Sequence, residues 1–97
     1  MKMATKVEPR VVHCRIEHYD VYIGRPSKWG NPFSHLDGTR ATFKVATRAE
    51  AIEKYRRWLL DNVELMAALP ELRGKVLGCW CAPKPCHGDV LLELANA

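Results

Sequence analysis

The stretch Lys75-Val76-Leu77-Gly78-Cys79-Trp80-Cys81-Ala82-Pro83-Lys84-Pro85-Cys86-His87-Gly88-Asp89-Val90-Leu91-Leu92 decides the fold. Its first seven residues are a short apolar run of strand length, released from the preceding chain by Gly74. Ala82-Pro83-Lys84-Pro85 must be loop, because proline cannot donate to a ladder. From Asp89 to Ala95, Val90, Leu91, Leu92 and Leu94 return to helical spacing. A strand that passes through a tight loop into a helix is a building block of an α/β domain.

Upstream, Thr47-Arg48-Ala49-Glu50 fits a capping box, in which a threonine hydroxyl and a glutamate three residues on satisfy free amides. Behind it Ala51, Ile52, Tyr55, Trp58 and Leu59 recur on one face, and Glu50-Lys54 and Glu53-Arg57 are favourable pairs four apart. The spacing predicts a helix over 48–62, and a further turn from Glu64 to Leu69 that stops at Pro70. Val11 to Ile23 is rich in β-formers and reads as one strand or two short ones ending at Gly24. Residues 24–40 carry Gly24, Pro26, Gly30, Pro32 and Gly38 and read as one long ordered loop. Residues 1–10 are polar and read as a loosely held arm.

At 97 residues the chain is one domain's worth, and its 47% hydrophobic and 27% charged residues exclude a disordered tail. We expect a single α/β domain over residues 11–97, with a small Rossmann-like sheet, parallel or mixed, flanked by helices. No apolar run approaches the roughly 18 residues of a membrane span. Nor does an apolar h-region follow the basic start, so no membrane association and a cytoplasmic location are expected. The net charge of +4 permits a phosphate-bearing partner without demanding one, because the charges are mixed along the chain.

Of four cysteines, Cys14 stands alone and reads as core, while Cys79, Cys81 and Cys86 fall within eight residues. Cys79 and Cys81, two apart on a strand, project from one face. Cys86 and His87 stand where a helix begins, and free amides there favour anions and lower a thiol's pKa. Three readings compete: cysteines as small buried hydrophobes, a zinc site of Cys79, Cys81, Cys86 and His87, or a reactive pocket with Cys86 as thiol and His87 as its base. The spacing C-x-C-x₄-C-H is not a common zinc-knuckle spacing, which favours the pocket over the metal.

The other loop, Ile23-Gly24-Arg25-Pro26-Ser27-Lys28-Trp29-Gly30-Asn31-Pro32-Phe33, joins two cations, an asparagine and two aromatic rings to glycines that admit a ligand. That is the outline of a nucleotide site, with phosphate on the cations and a stacked ring. The plainer alternative is a loop packed down by its own aromatics. His13, His18 and His35 are isolated and read as ordinary surface or core residues.

Together the motifs Ile23-Gly24-Arg25-Pro26…Trp29-Gly30-Asn31-Pro32-Phe33 and Cys79-Trp80-Cys81…Cys86-His87-Gly88-Asp89-Val90-Leu91 resemble the phage and bacterial family called domain of unknown function 4326, over roughly residues 19–96. Gly88 departs from the alanine that relatives often carry there. The resemblance implies a phage or prophage setting and supplies no activity. A weaker resemblance is to an uncharacterised α/β family with Cys-x-Glu at a strand end and Cys-His-Arg five residues on. Cys79, Cys86 and His87 match it, while Cys81 and Gly88 replace its glutamate and arginine. That likeness implies a pocket lined by the cluster and transfers no catalytic scheme.

The expected function is binding, with or without processing, of a nucleotide or nucleoside-type small molecule where the two motifs meet. Arg25 and Lys28 would meet phosphate, Trp29 or Trp80 would stack a ring, and Asn31, Cys81 and Asp89 would contact the ligand. Cys86 and His87 would face the reacting group. No cofactor is required by this reading. The runner-up is a zinc-stabilised module binding nucleic acid or a host protein. Neither reading fixes an oligomeric state.

Overall fold

A computed structural model describes residues 9–36 and 42–97 of the chain. Most of the expected arm, residues 1–8, and the end of the expected long loop, residues 37–40, lie outside the described residues. Arg10 is already paired in the first strand, β1 (Arg10–His13). β2 (Val21–Tyr22) follows, so Val11 to Ile23 holds two short strands. Two further short strands, β3 (Phe33–Ser34) and β4 (Phe43–Lys44), pair with each other. Then come α1 (Arg48–Leu60), α2 (Val63–Ala68), a 3₁₀ turn (Leu69–Leu72), β5 (Val76–Cys79) and α3 (His87–Ala95).

β5 is the centre of the main sheet, whose order is β1-β5-β2 with both ladders parallel. All four of its residues are buried, as expected for a parallel strand covered on both faces. The chain reaches it from β2 by way of α1 and α2, the long crossover that parallel pairing demands. The expected Rossmann-like sheet is thus a small α/β domain with three parallel strands of two to four residues. Asp20 fixes where β5 begins: its carboxylate accepts from the Val76 N–H and its own N–H donates to the Val76 carbonyl.

The α1 cap forms largely as the sequence predicts. Thr47 Oγ1 accepts from the Glu50 N–H at 3.0 Å, while the Glu50 carboxylate accepts from Ala46 and not from the capping residue itself. Ala51, Tyr55 and Leu59, each four apart, form the buried face. α1 ends at Leu60 because Asn62 starts a new helix, its side chain accepting from the Leu65 N–H. Pro70 does not stop the chain's helical course. It sits in the first turn of the 3₁₀ segment, where its missing N–H has no partner to lose.

α3 starts at His87, two residues earlier than the periodicity predicts, because Cys86 is its cap. Gly88 lets this first turn approach the sheet: a methyl there would lie 2.7 Å from Ile23 Cδ1. Leu59, Leu77, Leu91 and Val90 are buried where α1, β5 and α3 meet, each contributing about 1.5–3 kcal/mol by leaving water.

Two stability changes follow. Thr47→Ala should cost about 1 kcal/mol in chemical denaturation by freeing the Glu50 amide. Gly78 lies under the Tyr19 ring, which a Cβ would meet at 2.5–2.7 Å. Gly78→Ala should therefore cost about 1–3 kcal/mol through overpacking; unchanged denaturation midpoints would show that the ring moves freely.

Candidate functional site

The parallel ladders bring the carboxyl end of β5 beside the loop that follows β2. Ligand crevices of open α/β sheets form at such ends. Here a cavity of about 240 Å³ lies between that loop, the start of α1 and the β5–α3 turn. Arg25, Asn31, Trp80, Cys79, Cys81, Cys86 and His87 line it, so the two motifs share one cavity.

Three expected ligand residues stand elsewhere. Lys28 pairs with Glu71 at 3.0 Å and lies over the Trp29 ring. Trp29 is only 2% exposed and belongs to the core, where its carbonyl accepts from the Tyr55 hydroxyl at 2.8 Å. It therefore cannot stack on a ligand; the loop is pinned down by its own aromatic. Asp89 is the helix cap's second half, its carboxylate accepting from the Cys86 N–H at 3.1 Å. Asn31 lines the cavity, yet both ends of its side chain are engaged: Nδ2 donates to the Ala51 carbonyl and Oδ1 accepts from the Phe33 N–H. It shapes the loop, and its own carbonyl holds Arg25 through Nη1 at 2.7 Å.

Sequence reasoning missed His35, read there as an ordinary surface or core residue, and Arg48, both of which line the cavity. For Arg48 a signal was present. Arginine at the first position of a helix opposes the macrodipole, so local physics does not explain it. Its Nη1 reaches the Pro85 carbonyl at 3.3 Å, which sets the guanidinium against the β5–α3 turn.

The sulfur atoms of Cys79, Cys81 and Cys86 all lie within 4.8 Å of one another, an arrangement able to hold a metal ion. Cys79 and Cys86 are buried, with their sulfurs 3.0 Å apart, while Cys81 is half-buried. Hydrogen bonds from the Cys79 and Cys86 thiols hold Cys81 far below the usual thiol range, and Arg48 adds to the effect. The same network, led by Cys79 and reinforced by burial, pushes Cys86 up. Cys79 is also raised, chiefly by its bond to Cys81. The expected reactive thiol, Cys86, is thus a packed helix cap that accepts from the Gly88 N–H at 3.1 Å. The helix amides that were to activate it do reach its sulfur, but burial and its two neighbouring thiols outweigh them.

His87 is buried against Tyr55, their rings meeting edge to face at 4.9 Å. Its Nε2 lies 2.8 Å from the Ile23 carbonyl, which can only accept, so Nε2 carries the proton and Nδ1 the lone pair. Nδ1 is 3.8 Å from Cys86 Sγ. Burial holds the imidazole below its usual pKa, against the opposing pull of the Ile23 bond. Trp80 is 54% exposed at the rim, donating to the Tyr22 hydroxyl at 2.8 Å.

Fold and site define a small α/β domain whose pocket combines two guanidinium groups with three thiols. The chain belongs to the family described as "Domain of unknown function (DUF4326)", whose model matches residues 9–97. It is similar to the "Uncharacterized 12.4 kDa protein in nrdA-td intergenic region" of Enterobacteria phage T4, 35% identical over 91 residues covering 90% of this chain and 77% of that one. It is also similar to "Uncharacterized protein R718" of Acanthamoeba polyphaga mimivirus, 35% identical over 98 residues covering 81% of this chain and 68% of that one. The resemblance drawn from the two motifs therefore holds. No solved structure matches the chain. Among the described residues, no helix is long and apolar enough to cross a membrane.

The different access of the three thiols is open to measurement. In the reduced, metal-free chain, iodoacetamide should label Cys81 well before Cys79 or Cys86, as read by peptide mapping. Labelling of Cys86 first would return the reactive role to the helix cap.

Proposed function

We propose that this chain binds a small molecule of the nucleotide or nucleoside class in the pocket between the Arg25–Phe33 loop and the Cys79–Asp89 turn. One observation carries the reading: Arg25 and Arg48, from elements far apart in sequence, line the same cavity. Guanidinium forks suit phosphate oxygens, which accept two parallel bonds from one side chain. Of the two stacking candidates, Trp29 and Trp80, the exposed Trp80 ring at the rim is the surface on which a base would stack. At about 240 Å³ the space suits a nucleoside or its monophosphate better than a dinucleotide.

Processing of the ligand would need a nucleophile. Cys81, half-buried and beside Arg48, has the access that Cys86 lacks, whereas the accepting nitrogen of neutral His87 stands by Cys86. Free thiols at neighbouring positions suit a reducing cytoplasm, the host's when the gene is a phage's.

The thiol trio favours zinc as the cofactor such a pocket would take. A nucleic-acid module draws less support. Among the described residues, Arg10, Lys28, Arg56 and Arg57 are each paired with a carboxylate, which lowers the free positive charge they could offer to phosphates.

Thermal unfolding of the reduced, chelator-treated chain with inorganic phosphate, ribose phosphate, nucleosides and nucleotides tests the reading. At a hundredfold excess over Kd a ligand adds about 2.7 kcal/mol, which raises Tm by roughly 10 °C or more in a domain this small. Phosphorylated members should give the shift, and Arg48→Gln should lose most of it. A panel without any shift, or an Arg48→Gln response equal to the parent's, would sink the proposal.

A further inference from the structure

We propose that Cys79, Cys81 and Cys86 form a three-thiolate zinc site whose fourth coordination position opens into the pocket. The backbone assembles the donors from both sides of one turn. Cys79 ends β5, Cys81 follows two residues on, and Cys86 caps α3 after the Pro83–Pro85 loop turns the chain back. Zinc–sulfur bonds of about 2.3 Å in a tetrahedron place sulfurs roughly 3.8 Å apart. Cys79 and Cys86, now 3.0 Å apart, need to part by less than about 1 Å, and the whole trio already lies within 4.8 Å.

The surroundings fit a metal thiolate. The Gly88 N–H points at Cys86 Sγ, a backbone bond of the kind that orients and steadies a ligating sulfur. Three thiolates and one divalent zinc leave a net charge of −1, and Arg25 and Arg48 line the same cavity to offset it. The three sulfur-bearing residues all line that cavity, so an ion held by them borders open space instead of being enclosed.

His87 decides between a closed and an open site. Its Nε2–H is committed to the Ile23 carbonyl, and its Nδ1 approaches Cys86 alone, without joining the mutual group of three sulfurs. The fourth position is thereby left to water or to the pocket's occupant, the arrangement of zinc sites that bind or activate a ligand and not of closed structural ones. This inference shares the pocket with the ligand reading but does not depend on it, since the metal can be bound with no nucleotide present.

Cobalt(II) added to the reduced full chain provides the test. We expect one cobalt per chain, a thiolate-to-cobalt charge-transfer band of three-sulfur intensity, and visible bands of tetrahedral strength. Azide should shift the visible bands and leave the charge transfer in place, in the parent chain and in His87→Gln alike. Without recourse to any cysteine variant, zinc should protect Cys79, Cys81 and Cys86 of the parent chain from alkylation while Cys14 labels at an unchanged rate. Absence of charge transfer and of protection would overturn the site. Visible bands indifferent to azide but altered by His87→Gln would overturn the open position in favour of a closed Cys₃His centre. Because the ligand screen is run with chelator, failure of either proposal leaves the other's result readable.

Discussion

A single buried hydrogen bond, from His87 Nε2 to the Ile23 carbonyl, joins segments 64 positions apart and holds the candidate site together. Ile23 opens the arginine-bearing loop and is itself fully buried; His87 opens α3. Were the bond broken, a buried carbonyl and a buried ring nitrogen would lose their partners, at a cost of about 1–3 kcal/mol each. The bond also fixes the imidazole tautomer, and so determines which nitrogen faces Cys86. Pocket shape and pocket chemistry therefore meet in this contact.

Tyr55 makes that contact possible. Fully buried on α1, it packs its ring edge-on to His87 and donates its hydroxyl to the Trp29 carbonyl. With Asn31 holding the Ala51 carbonyl, this ties the loop to α1 at two points. The loop is thus a wall whose Trp29 faces the core, while Arg25, Asn31 and Phe33 face the cavity. Positioning of this kind, with site groups on elements locked by packing, is what ligand or metal binding needs.

Much was legible from local patterns. Strand β5, the Thr47 cap, the buried face of α1 and the α3 periodicity each follow from residues within a few positions of one another. The meeting of the two motifs was also readable, because parallel strands gather their following loops at one end. The short β3–β4 ladder was not, since its strands are two residues each and are joined by two backbone hydrogen bonds and the stacked rings of Phe33 and Phe43, 5.2 Å between centroids. Pro70 misled for a related reason: a proline ends a helix interior but suits a first turn, and which one it occupies depends on where Leu69 packs.

What the sequence by itself determined is the order of elements, their caps, and the family that the two motifs mark. Spacing and hydrogen-bonding chemistry act over a few residues and need no knowledge of the fold. Tertiary structure alone decided which groups reach the cavity. Trp29 turned into the core, Lys28 paired with Glu71, Arg48 came in from α1, and access among the thiols passed from Cys86 to Cys81. Burial and side-chain direction are set by contacts between residues dozens of positions apart, and a local pattern carries no record of them.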